Sequence, residues 1–459
     1  MSRGNRKPLG SEANFDPKDT VDIAGGDKVG VTCAACHART DESVLPPNSA
    51  LGTRGSIGVQ VDGPTAHNLD VGTIFATAKN SLAYFPMLQL QFDALGGATI
   101  GRGDFPGLSV KDGEAIDVTA LEAQADEYLT GSASAKAGGE RFYPRGQFDA
   151  FPEGIGNPLH IAAFFATDQG APWGIDGAIA LLDDFNNTVF TVSLDPTSIA
   201  TPSGQAFLER QAGAVGTEIA QDYRHVLEAT GVTDFPFVEA TDGLPPATPR
   251  SAVGRRVDEN SLLNLNAYLD SLPSPRAPKH IDTAAAARGR EIFRTFASAG
   301  GGNCTTCHNV DPNKFVNPRV VRFKKIYPAY TDSLVVIAKR KGLAPIQNSG
   351  GPTNLEGPNP FFDDRMIVLD GSRRGQPKGT SFPLLLDLVG KRSLLHDDSV
   401  RGGSFKKAAM RLLDPARGDR DAHPFFIEDE GDRADVVEFL RSLETILNPE
   451  TGNSGDDRK

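Results

Sequence analysis

All four cysteines of this 459-residue chain fall inside two pentamers, Cys33-Ala-Ala-Cys36-His37 and Cys304-Thr-Thr-Cys307-His308. Two thiols three residues apart share one helical turn, a spacing at which each can form a thioether to a haem vinyl group. The next residue then presents an imidazole to the iron. With four cysteines and eight histidines placed at random, two such pentamers arise with a chance on the order of 10⁻⁷, which sets coincidence aside. The expected cofactors are therefore two haem c groups, attached at Cys33, Cys36, Cys304 and Cys307, with His37 and His308 as proximal iron ligands. A Cys-x-x-Cys spacing also serves zinc sites and redox dithiols, but a histidine directly after each pair argues against both.

The sixth iron position decides whether each haem carries electrons or does chemistry. The remaining histidines stand at 67, 160, 225, 280, 396 and 423, and the internal methionines are Met87, Met366 and Met410. For the second haem the first choice is His423, in Asp421-Ala-His-Pro-Phe-Phe-Ile427 just ahead of a C-terminal helix; His396 and Met410 follow. For the first haem the nearest downstream candidates are His67, beside Pro64 and Asn68, and Met87, in an apolar stretch. Loop and core roles suit those two better, so a vacant or weakly filled position at this iron stays open. No catalytic residue is nominated; Glu114, Glu122 and Asp126 are acid/base groups in the right half of the chain.

The elements that must position these residues are helices separated by Gly- and Pro-rich coil. Apolar spacing and start and stop signals predict helices at 71–94, 115–129, 177–190, 204–230, 259–272, 284–296 and 433–447. No amphipathic helix precedes Cys33; a loop or short strand is expected there. Three prolines between Leu272 and His280 mark a linker. The expected units are 1–272, holding the first haem, and 281–447, holding the second, with a polar tail at 448–459.

Composition narrows the class. The net charge of −12 leaves no general basic face for phosphate, which excludes a broad nucleic-acid role. The acidic balance suits a small redox protein or a quinone-linked electron donor or acceptor as partner. No apolar run reaches the length of a membrane span, so the chain is expected not to be membrane-spanning. The first ten residues are polar and basic and show no secretory signal. Because haem c is attached outside the bacterial cytoplasm, a periplasmic or other extracytoplasmic location is expected all the same. The basic run Arg319, Arg322, Lys324 and Lys325, with Lys339 to Lys341, stands out on this acidic chain; solvated charges are its default reading, propionate pairing or partner docking the alternatives.

The stretch Arg288-Gly-Arg-Glu-Ile-Phe293 leading to the second pentamer, closed by Ala434-Asp-Val-Val-Glu-Phe-Leu-Arg-Ser-Leu443, resembles the terminal helices of a cytochrome c domain. Between them, the segment from Pro383 to Val400, with Leu394-Leu-His396-Asp-Asp398, is similar to one found in bacterial di-haem cytochrome c peroxidases and di-haem oxygenases. The resemblance implies a mainly α fold with two cytochrome c-like haem domains, the first elaborated with long loops and extra helices. It implies an iron-dependent, metal-binding redox protein. In the oxygenases a histidine shortly before the last helix is the distal ligand, which matches His423 in position. A tryptophan between the haems is a feature of the peroxidases, and Trp173 is the sole candidate. Asp398 stands where the family pattern has glycine, and no methionine lies just upstream of Pro383. Two functions follow: electron transfer through two six-coordinate haems, or an oxidoreductase in which the His308 haem serves a reactive five-coordinate His37 haem.

Overall fold

The computed structural model describes residues 6–9, 28–41, 43–44, 58–78, 80–83, 117–130, 145–148, 159–165, 173, 179, 181–212, 214–242, 244–245, 250–273, 280–295, 301–302, 304, 308, 320–322, 336–337, 367–368, 379–381, 385–394, 400–417, 423 and 426–443. Among these the architecture is mainly α, and the strands form only two-stranded ladders.

The first pentamer is entered from a strand, β1 (Lys28–Val31), and forms a single helical turn, α1 (Cys33–Cys36). The chain then pairs β2 (Ala38–Thr40) with β3 (Gln60–Asp62) in antiparallel register, Ala38 opposite Asp62. The ladder places Gly63 to Asn68 beside the pentamer. Downstream, α2 (Val71–Ala76) crosses α3 (Val118–Thr130) so closely that any side chain at Gly72 would run into the Leu129 carbonyl. The helix predicted for 71–94 closes at Ala76: Thr77 turns out of it and its hydroxyl donates to the Ile74 carbonyl at 2.8 Å. Residues 84–94 of that prediction lie outside the described ones.

The helix predicted over 204–230 is two helices, α4 (Pro202–Ala212) and α5 (Ala214–Ala229). Before them α6 is reached in space but earlier in sequence, at Leu182–Thr188, and widens into a π turn over Val189–Ser193. Leu82, Leu129, Val192, Ile199, Phe207, Leu208, Tyr223, Val226, Leu227 and Val253 form the core of this half. Under it lies a buried guanidinium: Arg256 reaches Asp184 at 2.7 Å, Asp183 at 2.8 Å and Glu259 at 2.8 Å. Burial alone disfavours that cation, and the carboxylates outweigh the burial and hold its pKa up. The ion group ties the start of α6 to α7 (Glu259–Ser271), whose own N-terminus Asp258 caps by accepting from Ser261 N at 2.9 Å.

After the proline-rich segment, α8 (Thr283–Arg294) starts at the cap Asp282 and packs against α10 (Glu430–Ser442), with α9 (Phe405–Leu413) alongside. Gly289 is the crossing point of α8 and α10, where a side chain would overlap the Asp435 and Val436 backbone. Two fastenings flank it. Arg288 donates to both Asp435 oxygens, at 2.7 and 2.8 Å, and Phe293 meets Phe439 edge-on at 5.4 Å. Val436, Val437, Phe439 and Leu440 are buried here with Phe405 and Leu413. Each such side chain contributes about 1.5–3 kcal/mol through burial.

Candidate metal centres

The two pentamers fold alike where both can be seen. His37 N donates to the Cys33 carbonyl at 2.9 Å, and His308 N to the Cys304 carbonyl at 2.8 Å, so each histidine ends a turn begun by its first cysteine. Cys307 lies outside the described residues. Ahead of the second pentamer, Gly302 N donates to the Ile292 carbonyl at 3.0 Å, and a side chain at Gly302 would press on Cys304 Sγ and Ile427. The glycine-rich turn is needed there by packing.

The rings of His308 and His423 have centroids 6.4 Å apart and planes inclined at 32°. Two imidazoles bound on opposite sides of one metal ion, with metal–nitrogen distances of about 2.0–2.1 Å, have centroids roughly 6–6.5 Å apart. Residues present in the chain thus fit an iron held between two histidines. The loop bearing His423 is fastened from both sides. Arg417 donates to the His423 carbonyl and, through Nε, to the Leu412 carbonyl at 3.0 Å, while its guanidinium lies 5.1 Å from the centre of the Phe426 ring. Ile427 N donates to the Leu413 carbonyl at 3.0 Å, and Arg433 bonds the carbonyls of Ile427 and Glu428. Met410, the third-choice ligand, packs against the helical core; His396 lies outside the described residues.

No protein-family model, curated protein or solved structure matches this chain. Among the described residues no group of three or more His, Cys, Asp or Glu side chains is arranged to hold a bare metal ion. A haem asks less of the chain, since its macrocycle fills four iron positions and the protein supplies the axial ligands.

The first pentamer has a different setting. His37 stacks on Phe164 with ring centroids 4.1 Å apart, and its buried Nδ1 has no aligned hydrogen-bond partner. Burial is the main influence on this imidazole and pushes its pKa down to about 4, with the backbone of Ala162 acting in the opposite direction. It is neutral at physiological pH, the form that ligates iron. Burial likewise raises both thiols, Cys36 to about 11. Behind Phe164, Trp173 and Phe185 complete an aromatic cluster with Leu269 of α7. The Trp173 and Phe164 ring centroids are 6.4 Å apart. Sequence reasoning did not find Phe164; only the hydrogen bonds from Phe164 N to the Gly63 carbonyl and from the Thr65 hydroxyl to the Ile161 carbonyl bring it beside the pentamer.

His67, considered above as a distal ligand to the first iron, is engaged elsewhere. Its Nε2 lies 3.2 Å from Asp387 Oδ2, and the ring packs so tightly on Gly390 that no side chain fits there. Met87 and Glu114 lie outside the described residues, as does all of the basic run but Arg322, whose backbone is in β-structure. Glu122 accepts from Ser81 N at 3.3 Å, and Asp126 keeps one buried carboxylate oxygen without a hydrogen-bond partner. Neither has a contact with His37 among the described residues.

Proposed function

We propose that this chain is a di-haem c-type cytochrome that transfers electrons through two covalently bound haems. The observation that carries the reading is the His308–His423 pair, spaced for one iron between two imidazoles. The crossing of α8 and α10 at Gly289, with Phe293 against Phe439, supports a cytochrome c-like unit from about 281 to 447, and residues 1–272 then form the elaborated unit around the first haem. Bound haem supplies a one-electron iron couple. The chain's residues hold and tune it: Arg417 fixes the His423 backbone, and Phe164 fixes the face of the His37 ring.

Among the described residues no helix is long and apolar enough to cross a membrane. The electron partner in this reading is a small redox protein or a quinone-linked carrier. The periplasm, where haem c is attached, is the proposed location. A second reading is favoured by one observation, the engagement of His67 with Asp387. If no other side chain took that place, the first haem would have an open position and the protein would be a peroxidase or oxygenase fed by the second haem.

Expression with a haem-attachment system, followed by intact mass and pyridine haemochrome, tests the shared premise. Two covalent haems per chain are expected, and none would end both readings. Carbon monoxide then separates them. A reduced protein that binds none has two saturated irons and transfers electrons; one that binds a single equivalent has the open first haem of the enzyme reading.

A further inference from the structure

A buried charge cluster joins the two halves of the chain beside the first pentamer. Asp387 is wholly buried and has φ 52°, a left-handed conformation that aspartate and asparagine adopt more readily than most residues. Its Oδ1 accepts from Arg39 Nη1 at 3.2 Å, and its Oδ2 from Thr65 N at 2.5 Å, with His67 Nε2 3.2 Å away. Burial pushes this carboxyl's pKa up, but His67, Arg39 and the Thr65 N–H together outweigh that and hold it below the usual range. Lys391, four residues on, feels the same carboxylate, although burial has lowered its pKa to about 8.

The residues that Asp387 grips are those that build the first site. Arg39 is two residues after His37. The Thr65–His67 segment is bonded to the pentamer itself: Ala66 N donates to the Cys36 carbonyl at 2.9 Å and Gly63 N to the His37 carbonyl at 2.8 Å. Gly63 in turn accepts from Phe164 N at 2.7 Å, and Phe164 stacks on His37. One side chain from the C-terminal half therefore anchors both strands of the cradle around His37. A buried carboxylate beside such a site is costly unless its partners are fixed, so the anchoring and the charge go together.

We propose that Asp387 is a positioning residue of the first haem site: from the C-terminal half it locks the loop around Cys36 and His37 and sets the charge balance that tunes that haem. The proposal rests on the di-haem reading. The carboxylate favours oxidised over reduced haem and Arg39 does the opposite, so removing one or the other moves the potential in opposite directions. A buried unit charge acting over roughly 12 Å at an effective dielectric near 20 changes an equilibrium about tenfold.

The test is a potentiometric titration of the holoprotein, with the two waves assigned from the His423→Ala variant. Asp387→Asn keeps the shape and tolerates the left-handed backbone. It is expected to raise the potential of the first haem by about tenfold in its redox equilibrium, about 59 mV, and to leave the second wave in place. Arg39→Gln, at a part-exposed residue, is expected to lower the first wave by a similar factor. Shifts of the same sign from both variants, equal movement of both waves, or no movement would overturn the proposal. Should Asp387→Asn not fold, the direction of the Arg39→Gln shift decides alone. A wild-type chain with no covalent haem would instead end the di-haem reading.

Discussion

His308 and His423 stand 6.4 Å apart, ring centre to ring centre, although the first ends a Cys-x-x-Cys-His turn and the second lies on a loop before the last helix. The loop bearing His423 is closed at its base by the hydrogen bond from Ile427 N to the Leu413 carbonyl, between α9 and α10.

Removing the imidazole at one side of the pair leaves the other in place. His423→Ala is expected to convert the second haem from low to high spin and to let its reduced form bind one additional equivalent of carbon monoxide, read by optical and electron paramagnetic resonance spectra. An unchanged low-spin spectrum would exclude His423 as the ligand.

Arg417 acts on His423 through the backbone. Arg417→Ala removes its hydrogen bonds to the His423 and Leu412 carbonyls, a loss of about 1.5–3 kcal/mol for hydrogen bonds from a charged donor. Carbon monoxide should then compete for the second iron more than tenfold faster, while the spectrum without it remains mainly low spin. Equal rates in the two proteins would show that the clamp does not hold the ligand.

The helix crossing in the C-terminal half leaves no room at Gly289. Gly289→Val forces α8 and α10 apart, and Phe293→Ala opens a cavity against Phe439. Phe293→Ala should cost about 3–5 kcal/mol and Gly289→Val about 1–3 kcal/mol, measured by denaturant unfolding followed at the Soret band of the second haem. A midpoint unchanged in both variants would contradict the close crossing.

In the other half, Arg256→Met strands two nearly buried carboxylates, Asp183 and Asp184. Breaking a buried ion group by removing one partner costs about 3–5 kcal/mol. Unfolding monitored at the first haem should report this loss, with the second haem's transition left in place.

Before haem attachment, acid should weaken the first site. The folded-state pKa of His37 is lowered from 6.5 to about 4, so between those values the unfolded chain binds a proton that the folded chain does not. Stability is therefore full above about pH 6.5 and is lost as pH falls toward 4. A chain with the first pentamer's cysteines replaced by alanine isolates the effect in chemical denaturation at stepped pH. His37→Phe, which has no proton to bind, should flatten that slope.

The turn of each pentamer was legible in the sequence because its geometry is local: two thiols and an imidazole at this spacing specify it within five residues. Helix positions were legible where apolar periodicity was strong, as in α10, and less so where a long apolar pattern is divided, as between α4 and α5 and after Ala76. His423 was the first choice on position along the chain, but its distance from His308 depends on how α9 and α10 pack. Phe164 on His37, and Asp387 joining Arg39, Thr65 and His67, had no signature at all. Those contacts join residues more than a hundred positions apart through burial and charge pairing, which no local spacing encodes, and only the tertiary structure decided them.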